Sequence, residues 1–270
     1  MLRSPAVKTG KELFDDVRSC AAPAAFWWLG QATFIIKMGS AVILIDPFLS
    51  PMEGRRVPAL FAGTDARGVV TAVLCTHDHD DHIDPLAVRQ LSAETDAVFV
   101  APRAHRARME SLGAKGARLF AVNDGETVSA GGVTVHAVKS CHEMFDMTPD
   151  GLFPYMGYVV QGAGKTLYHS GDTVWWEGLQ ARLSRWRFDA LMLPINGRDA
   201  RRLSTGCIGN MVYQEAADLA GGLDVALTVP MHYDMFAHNA EDPSLFASYV
   251  QVKYPGRAVW VGPHTTRVPF

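Results

Sequence analysis

One short segment of the chain concentrates side chains that can bind metal ions. The segment THDHDDHID, residues 76–84, contains three histidines and four aspartates and directly follows an apolar run. His77 and His79 are two residues apart, so at the end of a strand they point to the same side. Asp81 and His82 follow in a turn, so the segment can offer two ligands to one metal ion and two to a second. A solvated polar loop would explain a lone HxH, but it does not explain the whole HxHxDH pattern.

A metal site also needs ligands from other parts of the chain, and these should follow other strands. His142, Asp172 and His232 are each at or near the first ligand-type position beyond a predicted strand. Asp46 stands at the end of a further predicted strand. Because such residues recur at the same topological place, we interpret them as parts of one site.

The rest of the chain predicts the elements that position these residues. Three strands are predicted over residues 26–45, and residues 157–261 alternate between strand and helix patterns. A β-rich first half followed by alternating α and β segments, with no linker or repeat, predicts an α/β fold in a single domain, residues 1–270, with two sheets flanked by helices. Asp84 and Pro85 predict a helix start, with a carboxylate cap and a proline in the first turn.

Three segments depart from this regular pattern. Residues 1–22 are a polar lead-in, and residues 47–68 are a Pro-, Gly- and Arg-rich insertion. Residues 139–156 form a long connection with enough apolar side chains for a lid-like loop. Loops of that length are usually functional or disordered.

Composition narrows the class of protein. The 270 residues carry a net charge of −3 and are 48% hydrophobic, which gives no reason to expect a nucleic-acid partner. The first twenty residues lack the apolar core of a signal peptide, and no apolar run is long enough to span a membrane. Four scattered cysteines without CxxC spacing favour reduced thiols and a cytoplasmic location.

The order of these residues resembles a known superfamily. Asp46, the HxHxDH segment, His142, Asp172 and His232 are similar to the five motifs of the metallo-β-lactamase superfamily, across nearly the whole chain. The segments WWLGQATFIIK, THDHDDHID, LYHSGDT and HYDMF…AEDP resemble the L-ascorbate-6-phosphate lactonase branch more specifically. The first two also resemble the N-acyl-phosphatidylethanolamine phospholipase D relatives. The resemblance implies a four-layer αββα sandwich of two mixed β-sheets flanked by helices.

The resemblance also implies a role for each residue of the site. It implies one divalent ion bound by His77, His79 and His142, and a second bound by Asp81, His82 and His232, with Asp172 bridging the two. Asp46 is then a second-shell residue that accepts a hydrogen bond from a ligand histidine or from the metal-binding turn. Asp84 is first a helix cap rather than a ligand.

This ligand set determines the chemistry that we expect. Five imidazoles and two carboxylates without a thiolate suit zinc or manganese, and also iron, cobalt or nickel. Two ions that share a carboxylate lower the pKa of a bridging water towards about 7 and supply a hydroxide nucleophile. Asp81 is the catalytic candidate that orients this nucleophile or takes its proton. The expected reaction is hydrolysis at a carbonyl or phosphoryl centre.

The substrate end of the site is predicted from one loop and one histidine. The candidate substrate contacts are Asn196, Arg198, Arg201, Arg202 and His238. Arginine forks before a helix predicted to begin at Ile208 would make an anion site, because a helix N-terminus attracts negative charge. The alternative is an arginine loop that is merely solvated.

Several functions fit this pattern. The first is hydrolysis of a lactone or small ester that bears an anionic group. The enzyme would act on a small-molecule substrate, either as a monomer or as a homo-oligomer. The second is a phosphodiesterase, like the phospholipase D relatives, on the same two ions. An iron oxygenase or diiron reductase and a non-catalytic, metal-stabilised protein are further alternatives, but an intact ligand set with open coordination positions favours hydrolysis.

Overall fold

Two seven-stranded β-sheets dominate the computed structural model, which describes residues 6–270. The strands of this part of the chain are β1 (Ala24–Trp28), β2 (Phe34–Met38), β3 (Ala41–Ile45), β4 (Ala72–Leu74), β5 (Val98–Pro102), β6 (Leu119–Val122), β7 (Thr127–Ala130), β8 (Val133–Lys139), β9 (Met156–Gly162), β10 (Lys165–His169), β11 (Ala190–Pro194), β12 (Leu227–Met231), β13 (Ala258–Val259) and β14 (Val268–Pro269). The first sheet has the order β14-β1-β2-β3-β4-β5-β6, and the second has the order β13-β12-β11-β10-β9-β8-β7. Each sheet is mixed: β1 to β3 and β7 to β10 pair antiparallel, whereas β3 to β6 and β10 to β13 pair parallel.

Helices flank both sheets. Within residues 6–270 they are α1 (Gly10–Ser19), α2 (Pro85–Glu94), α3 (Arg106–Ser111), α4 (Leu179–Leu183), α5 (Ala200–Ser204), α6 (Tyr213–Gly222) and α7 (Pro243–Lys253). Apolar residues of α1 and α2 pack in one buried cluster with the first sheet, and those of α4, α6 and α7 pack in another with the second sheet. The predicted α/β class, with two mixed sheets flanked by helices in four layers, is confirmed.

Alternation along β1 explains how the first sheet is buried on both faces. Phe26 and Trp28 belong to the apolar cluster that is shared with the second sheet, whereas Ala25 and Trp27 belong to the cluster with α1 and α2. Successive side chains of a strand point to opposite faces, so an apolar run supplies both clusters at once. The two sheets thereby form a rigid base for the loops at their ends.

The helix predicted to begin at Ile208 begins later, at Tyr213, and the separate helix α5 precedes it. The backbone N–H groups between the two helices bond to other loops. Asn210 N donates to Gly197 O at 3.1 Å, and Met211 N donates to Thr173 O at 2.9 Å. These N–H groups tie the segment to neighbouring loops, so the helix starts only after them. The sequence analysis also missed β14, a two-residue strand that pairs with β1.

Asp84 caps α2 as predicted, since its side chain accepts a hydrogen bond from Leu86 N. It does more than cap, because it also accepts from the backbone N–H groups of Leu49 and Ser50 and from the Ser50 hydroxyl. Arg55 donates to three carbonyl groups of the same segment. The 47–68 insertion is therefore irregular but firmly held beside the metal-binding turn.

Two further expectations concern the whole chain. All four cysteines are free thiols, and Cys20, Cys75 and Cys141 are buried. No helix in residues 6–270 combines the length and the apolar character that crossing a membrane requires. Residues 1–5 of the predicted 1–22 lead-in lie outside the described residues, and the expected cytoplasmic location stays a prediction.

Candidate metal centre

The HxHxDH segment forms a tight turn directly after β4. His82 N and Ile83 N both donate to His79 O at 2.9 Å, so the chain reverses between the two pairs of ligand-type residues. His77 Nε2 and His79 Nδ1 lie 3.0 Å apart. The rings of His77 and His82 still lie close, with their centroids 3.9 Å apart, so the turn gathers both pairs in one place.

His142, Asp172 and His232 come to this turn from three other strands. They lie beyond the ends of β8, β10 and β12, which are strands of the second sheet. Asp172 stands between the two pairs: its Oδ1 lies 3.5 Å from His82 Nε2, and its Oδ2 lies 3.6 Å from His142 Nε2 and 3.1 Å from His232 Nε2. The structure thus brings all seven residues that the sequence analysis selected into one cluster.

The cluster contains three sets of three residues, and within each set one ligand atom of every residue lies within 4.8 Å of the others. They are His77, His79 and His142; His77, His82 and Asp172; and Asp81, His82 and His232. We call the first set the trihistidine group and the last set the aspartate group. Asp172 belongs to the middle set, which shares His77 with the trihistidine group and His82 with the aspartate group.

The buried atoms of the cluster fit a metal ion. His82 Nε2 and Asp172 Oδ1 are buried and have no hydrogen-bond partner among residues 6–270. Leaving such groups unpaired costs about 1–3 kcal/mol each. A cation between them would satisfy both at once, and imidazole nitrogen with carboxylate oxygen is a donor set that binds divalent transition metals.

Asp46 supports the turn from behind. Its Oδ2 accepts from the Thr76 hydroxyl and lies 2.7 Å from His82 Nδ1, while its Oδ1 accepts from Thr76 N at 2.8 Å. Asp46 is fully buried and has a positive φ of 45°. Strained backbone of this kind persists only where surrounding contacts hold it. The contact at Nδ1 leaves Nε2 of His82 free to bind an ion, and the supporting role of Asp46 behind a ligand histidine stays a prediction.

His142 is held by a loop rather than by a carboxylate. Its Nδ1 donates to Gly209 O at 3.0 Å, and Gly209 N donates to Glu143 Oε1 at 2.9 Å. A Cβ atom at Gly209 would lie 2.2 Å from the Arg198 Cβ, so only glycine allows this approach. The segment before α6 thus orients the His142 ring, and its Nε2 faces Asp172.

Electrostatics of the trihistidine group favour neutral rings. Burial lowers the pKa of His142 to about 4 against the opposing influence of Asp172. Burial also holds the pKa of His77 well below its usual range and lowers that of His79. Near neutral pH these imidazoles carry lone pairs that a cation can use directly.

The aspartate group behaves in the opposite way. Burial disfavours a charged His82, but Asp172, Asp81 and Asp46 outweigh it and raise the pKa of His82 to about 10. The pKa of His232 is raised as well, because Asp172 and Asp81 outweigh its burial. A cation that binds here must displace the protons of the His82 and His232 rings, which the neighbouring carboxylates stabilise.

A cavity of about 280 Å³ opens onto the cluster. Its lining comprises Gln31, Met52, Glu53, His79, Asp81, His142, Asp172, Gly206, Cys207, Ile208, His232, Phe236, His238 and Asn239. Asp81 is 16% exposed there, so its carboxylate is accessible to a small molecule. Of the predicted substrate contacts, His238 is the one that lines this cavity.

The arginines predicted to bind an anionic substrate do not line the cavity. Arg198 forms a bidentate pair with Glu215, at 2.7 and 2.8 Å, and donates to Asn210 O. Arg202 pairs with Asp199 and donates to Ala240 O. The guanidinium groups of Arg198 and Arg202 are thus paired with carboxylates of the chain, and the arginine anion site stays a prediction.

The other two predicted contacts also lie away from the cavity lining. Arg201 is exposed on α5. Asn196 is buried, donates to Asn239 Oδ1 at 2.8 Å and accepts from Asn210 Nδ2 at 3.1 Å. Asn196 therefore connects the loops around the site rather than presenting a free amide.

The 139–156 loop contributes an aromatic wall. The Tyr155 ring lies 5.3 to 6.2 Å from the rings of His77, His79 and His142. Phe145 packs edge-on against Trp176, and the Lys139 ammonium lies over both rings. This packing anchors the loop that carries His142, whereas Met144 and Met147 remain exposed.

Gln31 is a site residue that the sequence analysis missed. It lies in the turn between β1 and β2, is 1% exposed, and its Nε2 donates to Asp81 Oδ2 at 2.7 Å. The signal that could have found it is its position just after a strand, the same rule that found His142.

Comparison with known proteins agrees with this arrangement. A family model described as the beta-lactamase superfamily domain matches residues 42–233. The chain is 30% identical over 229 residues to a UPF0173 metal-dependent hydrolase from Pyrobaculum islandicum, covering 83% of this chain and 90% of that protein. It is 31% identical over 217 residues to a UPF0173 metal-dependent hydrolase from Myxococcus xanthus, covering 78% and 70%. The solved structure of Igni18, a metallo hydrolase from Ignicoccus hospitalis, superposes with a TM-score of 0.70 at 22% identity, covering 91% of this chain and 97% of that one.

Proposed function

The chain belongs to the beta-lactamase superfamily of metal-dependent hydrolases, and from this premise we propose that it uses two metal ions to hydrolyse a lactone or a small ester. The observation that carries the proposal is the position of Asp172 between two groups of ligand atoms beneath a cavity. A single ion would leave one group without a cation. The similarity of four segments to the lactonase branch supports the choice of an acyl substrate.

We assign the ligands as the two groups suggest. The trihistidine group would hold one ion and the aspartate group would hold the other. Asp172 would contact both ions. Zinc and manganese are the first candidates, followed by iron, cobalt and nickel, because nitrogen and oxygen donors accept all of them. When bound, such ions supply an activated water nucleophile near neutral pH and stabilise negative charge on the substrate oxygen.

The chain's own residues then have separate tasks. The Asp81 carboxylate, open to the cavity, is the group that we assign to hold the proton of the attacking water and to hand it to the leaving alcohol oxygen. General acid–base transfer of this kind typically contributes about 10²–10⁴-fold to the rate. Asp46 and Gly209 O fix the rings of His82 and His142, so that their Nε2 atoms face Asp172.

The cavity limits the substrate to a small molecule. At about 280 Å³ it lies at the lower end of the range for ligand pockets. Among residues 6–270 the lining includes no arginine or lysine, so a preference for an anionic group would depend on His238 and on the bound ions. We propose that residues 139–156 act as the lid-like loop of a single domain, residues 1–270, with Tyr155 at its inner side.

One observation favours the second candidate, a phosphodiesterase. Two apolar residues of the cavity lining, Met52 and Ile208, are exposed. Apolar side chains at the rim of a polar site suit a substrate with an apolar part, such as a phosphodiester of a lipid.

The test is an assay of fully metallated protein on matched lactones, carboxylic esters and phosphodiesters. We expect turnover of a lactone or ester that is lost on chelation and restored by zinc or manganese. Turnover of phosphodiesters alone would select the second candidate. Metallated protein that turns over none of the three classes would contradict the proposed hydrolase.

A further inference from the structure

The turn between β1 and β2 is locked to the loop that carries His232. Gln31 N donates to Asp234 Oδ1 at 3.1 Å, and His232 N donates to Gln31 O at 3.0 Å. Trp28 Nε1 donates to the same carbonyl at 3.0 Å. Gln31 and His232 both have a positive φ, of 51° and 60°. Non-glycine residues rarely adopt this backbone, so the mutual hydrogen bonds hold both residues in it.

This backbone arrangement carries the Gln31 side chain into the aspartate group. Its Nε2 lies 2.7 Å from Asp81 Oδ2 and 3.0 Å from His232 Nε2. An ionised carboxylate can only accept hydrogen bonds, so the amide nitrogen, and not its oxygen, must face Asp81. The orientation of the amide is thereby fixed by its surroundings.

The amide is also costly to keep where it is. Gln31 is 1% exposed, and its Oε1 is buried without a hydrogen-bond partner among residues 6–270. A buried polar group that lacks a partner destabilises the fold, so a group of this kind needs another role that explains why it is kept. The role on hand is the contact of Nε2 with two residues of the aspartate group.

We propose that Gln31 is a positioning residue for the second metal ion: its amide holds Asp81 and the His232 loop so that the aspartate group closes around a cation. The inference rests on the proposed two-ion site. Hydrogen-bond partners of ligand side chains typically contribute roughly ten- to a hundred-fold to metal affinity. The hydrogen bonds of Gln31 go to Trp28, Asp81, His232 and Asp234 rather than to the trihistidine group, so we expect the affinity of that group to be unaffected.

The experiment measures stepwise Zn²⁺ affinity of the full chain by competition with a chromophoric chelator, without substrate. Gln31→Met keeps the length of the side chain and removes the amide. Gln31→Asn keeps an amide and tolerates a positive φ, but it is one methylene too short to reach Asp81. Gln251→Met, on the exposed face of α7, is the control.

We expect both Gln31 variants to bind the second Zn²⁺ roughly ten- to a hundred-fold more weakly, and the first Zn²⁺ as the wild type does. The control should bind both as the wild type does. If either folded Gln31 variant binds the second ion with wild-type affinity, or loses both ions equally, the positioning role is wrong. A wild type that binds a single ion would instead contradict the proposed function on which the inference rests.

Discussion

On one side of Asp172 stand three imidazoles, His77, His79 and His142, and on the other stand two imidazoles and the carboxylate of Asp81. The trihistidine group is supported by a backbone carbonyl and an aromatic ring, those of Gly209 and Tyr155. Among the contacts of the aspartate group are a carboxylate and an amide, those of Asp46 and Gln31.

The difference in support produces a difference in charge. Burial lowers the pKa of the trihistidine rings, whereas carboxylates raise the pKa of His82 and His232. The first group is a neutral set of lone pairs, and the second is an ion-pair network in which protons stand where a cation would bind. Two ions bound at this centre, as we propose, would therefore not be equivalent, and variants should separate them.

Asp172→Ala should have the largest effect, because Asp172 contacts both groups. Several kcal/mol of transition-state stabilisation depend on the ions, which corresponds to a loss of more than about a thousand-fold in kcat. We expect metal content to fall at both positions, as measured by elemental analysis. Asp96→Ala, at an exposed aspartate, is the control and should retain full metal content.

Asp46→Asn should weaken the aspartate group alone. The amide cannot accept at both of its terminal atoms, so the hydrogen bonds to Thr76 and His82 cannot all form. We expect the second ion to bind roughly ten- to a hundred-fold more weakly, measured by titration with Zn²⁺.

Asp84→Asn should contrast with Asp46→Asn. Asp84 is also buried and hydrogen-bonded, but its partners are the Leu49–Ser50 backbone and the start of α2 rather than a ligand histidine. It should lower the free energy of unfolding by about 1.5–3 kcal/mol and keep both ions. Equal loss of metal in the two variants would contradict the division between a ligand-supporting carboxylate and a structural one.

Proton release on metal binding should also distinguish the aspartate group from the trihistidine group. The pKa of His82 is raised to about 10, so in the ion-free protein at pH 7 its ring is protonated, and a cation must expel that proton. The affinity for the second ion should rise with pH about tenfold per unit for each proton released, up to the pKa of His82. His142, with a pKa lowered to about 4, has no proton to release there.

Calorimetry of Zn²⁺ binding at pH 7, in buffers of different ionisation enthalpy, measures this release. We expect one binding step to depend on the buffer and the other to be independent of it. Two steps with identical buffer dependence would show that the groups do not differ in protonation.

Arg198→Ala should have the smallest effect. The pair with Glu215 is partly exposed, and pairs of this kind contribute less than about 1 kcal/mol. KM should stay near the wild-type value on the best substrate, and Arg201→Ala should behave alike. A strong rise in KM for either variant would restore the anion site that the sequence predicted.

Site residues could be predicted from the sequence where the signal is local, and not where it depends on partners far along the chain. HxHxDH is a local motif, and His142, Asp172 and His232 were found because strand ends are visible in apolar patterns. Gln31 was not found, because its importance depends on contacts with residue 232, 201 positions away. The sequence shows only that Gln31 lies just after a strand, and not which residues it contacts.

The segment before α6 shows the same limit. Three arginines close to a predicted helix suggested an anion site, but the partner of Arg198 is Glu215, on α6. Gly209 looked like an ordinary loop residue, yet its carbonyl orients His142. Side-chain pairing and the exact start of a helix depend on tertiary contacts, whereas strands and their ligand-bearing ends follow from apolar periodicity.

The most direct test of the central claim is the number of zinc ions per chain, measured by elemental analysis of metal-loaded protein. We expect two in the wild type and one each in His142→Ala and His232→Ala, since each variant breaks one group. His136→Ala, at a strand histidine that bonds Thr127 and Gln161, should keep two. A wild type with one ion, or loss of both ions in each single variant, would contradict two distinct groups on either side of Asp172.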